Sequence, residues 1–147
     1  MDGRRTRWLT LTETRTYMDP LEQVRLGPIA QIAVSVKDVP RATGFYRDVL
    51  RIPFLFEAPG LAFFQCGEIM LMLSHPSSAE FDHPSAILYF RVDAIEQAYE
   101  ALVDRGVTFI DAPHVVHRAP DMELWMAFFR DPDGNVLAIR QEKRLTS

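Results

Sequence analysis

The chain has 147 residues, 48% apolar and 24% charged, the balance of one globular domain long enough to bury a core. A formal net charge of -4, with Arg4, Arg5 and Arg7 as the one basic cluster, argues against a nucleic-acid partner, because phosphate binding needs a clustered cationic surface. The single cysteine, Cys66, excludes an intramolecular disulfide and a cysteine-built zinc site, and no apolar run is long enough for a bilayer, so the expected location is cytoplasmic with no membrane partner.

Residues 1–28 are rich in Thr and Arg without a sustained period. They read as an N-terminal extension, either flexible or an arm anchored by Trp8, Leu9 and Leu11, and they lack the apolar middle of a signal peptide. From residue 29 a regular pattern begins. Ile29–Val36 alternates and is β-branched, predicting a strand. Ala42, Phe45, Tyr46, Val49 and Leu50 then follow helical spacing, with Asp38 as N-cap and Pro40 in the first turn. Three strands are predicted next, over 53–57, 61–65 and 69–74, broken at Pro59-Gly60 and Cys66-Gly67. This first module spans 29–75, and 76–84 is a proline-bearing linker.

The pattern then recurs, roughly 55 residues on, as a duplicated unit does. A strand over 86–92 is followed by Asp93 as cap and by a helix carrying Ile95, Ala98, Tyr99, Leu102 and Val103, which Gly106 ends. Strands follow near 108–110 with a continuation at 115–116, then over 124–129 and 136–140, the last pair joined by Asp131-Pro-Asp-Gly134 with Gly134 at positive φ. The second module spans 85–142, and 143–147 is a tail. Each module is β-α-β-β-β, an α+β fold.

Two segments, Val36-Lys-Asp-Val-Pro-Arg-Ala-Thr-Gly-Phe-Tyr-Arg-Asp-Val-Leu50 and Phe128-Phe-Arg-Asp-Pro-Asp-Gly-Asn135, resemble the vicinal oxygen chelate superfamily, which includes glyoxalase I, bleomycin-resistance proteins and extradiol dioxygenases. The resemblance covers about residues 29 to 142. It implies two βαβββ modules forming an eight-stranded, curled, incomplete barrel with its helices outside, completed by pairing into a homodimer. It also implies a trough in which the metal enzymes hold a divalent ion with four side chains. Carried onto this chain, those positions are Gln31, Met72 or a neighbour, Ile87 and Ala138. Ile and Ala offer no donor, and an amide with a thioether suits a catalytic divalent ion poorly. The expectation is therefore no metal and no cofactor.

Alternation sorts the strands independently. Ile32, Val34, Val36, Leu71, Leu73, Leu88, Phe90, Val92, Leu137 and Ile139 suit packing under helices. The opposite set contains Gln31, Ser35, Met72, Ile87, Tyr89, Arg91, Ala138 and Arg140, which with Trp125 are the candidate ligand-binding residues. Apolar walls with a few polar groups characterise small-molecule pockets, and an Arg fork matches a carboxylate. The function expected first is a metal-independent small-molecule binding protein holding a partly hydrophobic, anionic or aromatic ligand. One alternative is a metal-free isomerase, lyase or cyclase using Tyr89, Gln31 or His117 on a carbonyl compound. Another is a metal enzyme with displaced ligands such as Glu68, His117 or Glu123. His114 and His117, three residues apart in a strand, are expected on opposite faces, and Cys66 reads as a small hydrophobe.

Overall fold

A computed structural model of the protein describes residues 24–145; the possible arm at Trp8, Leu9 and Leu11 lies outside them. The first module runs β1 (Gln31–Ser35), α1 (Val39–Gly44), a π-helical turn (Phe45–Val49), β2 (Phe54–Ala58), β3 (Leu61–Cys66) and β4 (Ile69–Ser74). A short 3-10 turn at Ala79–Phe81 lies in the linker, followed by β5 (Leu88–Arg91), α2 (Ile95–Asp104), β6 (His114–Ala119), β7 (Met122–Arg130) and β8 (Val136–Arg144). Two four-stranded sheets result, ordered β1-β4-β3-β2 and β5-β8-β7-β6, each with one parallel pair and two antiparallel ones. The identical order is the structural form of the duplicated pattern, and the barrel is not closed. β8 runs on to Arg144, four residues beyond the end at 140 expected from the alternation.

Alternation places one face of each sheet under the helices. Val34, Phe64, Leu73, Phe129, Leu137 and Ile139 are buried there with Tyr46 of the first module and Ile95 and Leu102 of α2, in one core shared by both modules. Burial of this kind contributes roughly 25 cal/mol per Å² of apolar surface, the main favourable term for the fold.

The helix ends show which local signals hold. The Asp38 carboxylate accepts from the Arg41 N–H at 3.0 Å, as an N-cap should. Gly106 at φ 93° closes α2, with its N–H donating to Val103 and that of Val107 to Leu102. Asp93 is not the second cap. Ala94 occupies that position without a side-chain bond, and the Ile95 N–H donates instead to Gln141 Oε1 of β8 at 2.8 Å. A side chain distant in sequence has replaced the local one. The first helix also departs from its expected regularity: α1 stops at Gly44, a wider turn closes with Leu50 N–H donating to Phe45 O at 2.9 Å, and Arg51 adopts φ 61°.

The modules are tied by the turn before β8. Asp131 is buried, and its two carboxylate oxygens accept from the Tyr46 hydroxyl at 2.8 Å, the Asp133 and Asn135 N–H groups at 2.9 and 2.8 Å, and Asn135 Nδ2 at 2.8 Å. Asn135 Nδ2 also donates to Ser35 O at the end of β1, and Asp133 accepts from the Lys37 N–H. Burial, then the neighbouring Asp131 charge, pushes the Tyr46 phenol far above its ordinary range.

Tyr46→Phe is expected to lower stability by about 1.5–3 kcal/mol, the range for a hydrogen bond to a charged group, measured by urea unfolding. The raised phenol pKa stabilises the fold fully below the unfolded tyrosine pKa. Above about pH 10 it adds a loss of roughly 1.4 kcal/mol per pH unit as the unfolded phenol ionises, and Tyr46→Phe should remove that increment from the alkaline profile.

Candidate functional site

Strand register builds the face turned away from the helices, because residues directly opposite in paired strands share a face. In the second sheet one row is Tyr89, Ala138 and Phe128, and the next is Arg91, Arg140, Met126 and His114. In the first sheet Gln31 aligns with Met70 and Gln65, and Ala33 with Met72, Phe63 and Phe56. The Gln31 Nε2 donates to the Met72 sulfur at 3.5 Å, so these two predicted positions touch.

Ala138 is 0% exposed. Tyr89 and Phe128 stand two strands apart on either side of it, yet their ring centroids are only 5.8 Å apart at 82°. Adjacent strands are separated by about 4.8 Å, so the rings lean together over the alanine in the edge-to-face arrangement aromatics favour. The space that a small residue leaves at 138 is therefore taken up by an aromatic wall. Tyr89 itself remains 48% exposed.

The second row carries charge. Arg140 lies 3.5 Å from Glu142, and these two with Arg91, Val92, Asp93 and Gln141 border a recess of about 370 Å³. Ile87 precedes β5 and is exposed. Ser35 is tied to the linker and the second module: its hydroxyl donates to Phe81 O at 3.5 Å, its N–H to Ser85 Oγ at 2.9 Å, and its carbonyl accepts from Asn135. Trp125 is not brought to this face. It shares the opposite side of β7 with Ala127 and Phe129, packs against the core, donates to Glu123 at 3.0 Å and holds Lys143 Nζ 4.1 Å from its ring centre. A period of two sends the odd positions of β7 under the helices and the even ones, Phe128 and Met126, to the candidate site.

The histidines follow a different rule. A bulge between Val115 and His117 leaves His114 opposite Met126 and His117 opposite Leu124. Met126 and Leu124 share a face, so the two histidines do too, contrary to the expectation from their spacing. The extra residue of a bulge restores the parity that an odd separation breaks. Sequence parity also left Phe128 and Phe56 unplaced, though the alternation around Leu137 and Ile139, extended through the hairpin, identifies the face of Phe128.

The donor set does not fit the divalent ion that the fold family implies. Ala138 has no donor and is covered, Ile87 is hydrocarbon, and the Gln31 amide is turned to a thioether. Among the described residues no three His, Cys, Asp or Glu side chains converge to hold a metal. Glu123, on the Trp125 face of β7, is engaged by Trp125 and Arg118 rather than approaching His117. Burial pushes the Cys66 thiol up, away from thiolate chemistry.

The model of the Glyoxalase/Bleomycin resistance protein/Dioxygenase superfamily matches residues 28–139. The chain belongs to this superfamily. The superfamily member is 29% identical over 128 residues to the Bacillus subtilis protein YraH, covering 76% of this chain and 95% of YraH. Among solved structures it is similar to the V. cholerae integron cassette protein VCH_CASS1, with 25% identity, TM-score 0.66, and coverage of 80% and 97%. It shares its fold with TnmS3, an antibiotic binding protein from Streptomyces sp. CB03234, at 24% identity, TM-score 0.66, and coverage of 82% and 99%. The same holds for a lactoylglutathione lyase from Agrobacterium tumefaciens, at 24%, TM-score 0.62, and coverage of 80% and 95%. No helix of the described residues is long and apolar enough to cross a membrane.

Ala138→Glu should force Tyr89 and Phe128 apart and cost about 1–3 kcal/mol, as overpacking does, without giving the protein stoichiometric nickel, zinc, iron or manganese. Thermal unfolding together with elemental analysis of the variant checks both.

Proposed function

We propose that this superfamily member is a metal-independent small-molecule binding protein, working as a homodimer and holding a partly hydrophobic ligand with an aromatic or anionic group. The observation that carries this reading is the row Tyr89, Ala138, Phe128: an alanine under two rings stands where the metal enzymes would place a carboxylate. The half-exposed Tyr89 ring and the Phe128 edge offer a stacking wall, and Arg91 and Arg140 of the next row offer guanidinium forks to an anion. Gln31, Met72 and Ile87 complete a mostly apolar lining. That TnmS3 is an antibiotic binding protein supports binding without turnover as a use of this scaffold. The exposed apolar side chains Phe56, Ile87 and Tyr89 are surface that a second copy would cover.

A specific observation also favours the metal-free acid–base reading. The bulge turns His117, whose imidazole can both donate and accept a hydrogen bond, to the site face. The two readings part in whether a bound carbonyl compound is consumed.

Screening of small aromatic carboxylates and phenols by thermal shift tests both. The expected outcome is a binder that raises stability by about 2.7 kcal/mol at a hundredfold excess over its Kd, without turnover. Tyr89→Ala should weaken it at least tenfold, and Arg140→Ala should weaken carboxylates but not phenols. Stoichiometric metal bound through Gln31 and Met72 would overturn metal independence, and consumption of a dicarbonyl or lactone lost in His117→Gln would establish the enzyme instead.

A further inference from the structure

We infer that the protein has a second small-molecule site, on the helix side of the sheets, which takes a medium-chain alkyl carboxylate. A cavity of about 370 Å³ lies there between α2 and the Leu50–Ile52 segment of the first module. Ala98, Ala101 and Leu102 of α2 line it, together with Arg105 at the C-cap of that helix. The i, i+3, i+4 spacing of the first three makes them one face of α2, and the two alanines leave the space that longer side chains would fill.

Its charge distribution names the ligand class. Arg91 and Arg105 border this cavity, and among the described residues no acid lines it. Arg91 pairs with Arg140 on the other face, in the recess that Asp93 and Glu142 also border, which leaves Arg105 as the cation of the helix side. Arg105 is half-buried and donates through Nη1 to Val49 O at 2.8 Å. That bond fixes the guanidinium at the cavity and leaves its other N–H groups for an anion. An apolar chamber with a fixed cation and no counter-charge suits an alkyl tail ending in a carboxylate.

The opposite wall is held in an unusual conformation. It follows the π-helical turn Phe45–Val49, and between Leu50 and Ile52 stands Arg51 at φ 61°, a left-handed backbone that a non-glycine residue adopts at a cost. π-helical turns are frequent at functional sites.

Calorimetry and methyl NMR of the full chain with octanoate, octanol and octylamine test the site. Octanoate is expected to bind at least tenfold more tightly than octylamine and to shift the Ala98 and Ala101 methyl signals. Arg105→Gln should lower octanoate affinity at least tenfold and leave octanol unchanged. Ala101→Phe, or Ala98→Leu if that variant does not fold, should abolish binding by filling the cavity, while Tyr89→Ala in the trough leaves it intact. Octylamine binding as well as octanoate, or octanoate lost in Tyr89→Ala but kept in Ala101→Phe, overturns the proposal. So does a change of sedimentation mass in Ala101→Phe with octanoate affinity unaltered, which would make a second copy the occupant.

Discussion

The Asp131 carboxylate is the anchor on which the arrangement of the two modules depends. A buried charge is costly unless every lone pair finds a donor, and here four N–H and O–H groups converge on it, one of them the Tyr46 hydroxyl from the other module. Because three of the four come from within the turn 131–135, the carboxylate also sets the turn's shape. That turn launches β8, and Asn135 reaches back to the end of β1. The same group therefore fixes the distance between modules and the register with which β8 meets β5 and β7.

That register decides what the sheet presents. With Leu137 and Ile139 committed to the core, Ala138 and Arg140 must face the other way, and their neighbours across the strands are Tyr89, Phe128, Arg91 and Met126. A carboxylate at 138 would separate the rings and could serve a metal. An alanine lets the rings close and leaves aromatic surface where coordination chemistry would otherwise sit. The guanidinium row one step along the strands then supplies the polarity of the face.

The two sides of the sheets differ in how charge is balanced. On the site face, Arg140 has Glu142 within 3.5 Å. On the helix side, Lys143 lies over Trp125 and pairs with Glu96 of α2, whose carboxyl is held below its ordinary range chiefly by that hydrogen bond. These contacts tie the end of β8 to the first turn of α2, next to the place where Gln141 caps the helix. Exposed pairs of this kind contribute little singly; the cap and the Trp125 packing hold the junction.

By itself the sequence determined the strand and helix order, the duplication, the α+β class and the identity of the residues under the helices, because period and turn chemistry are local properties. It also located Gln31, Tyr89, Ala138 and Arg140 on the face away from the helices, since parity within a short strand is fixed once one residue is known to be buried. Only the tertiary structure decided what depends on neighbours distant in the chain. The bulge in β6 reverses the parity of His114 and His117, Gln141 displaces Asp93 as the partner of α2, and Trp125 falls on the core side. Tyr89 and Phe128 meet over Ala138 because strand pairing brings together residues whose separation along the chain carries no signal.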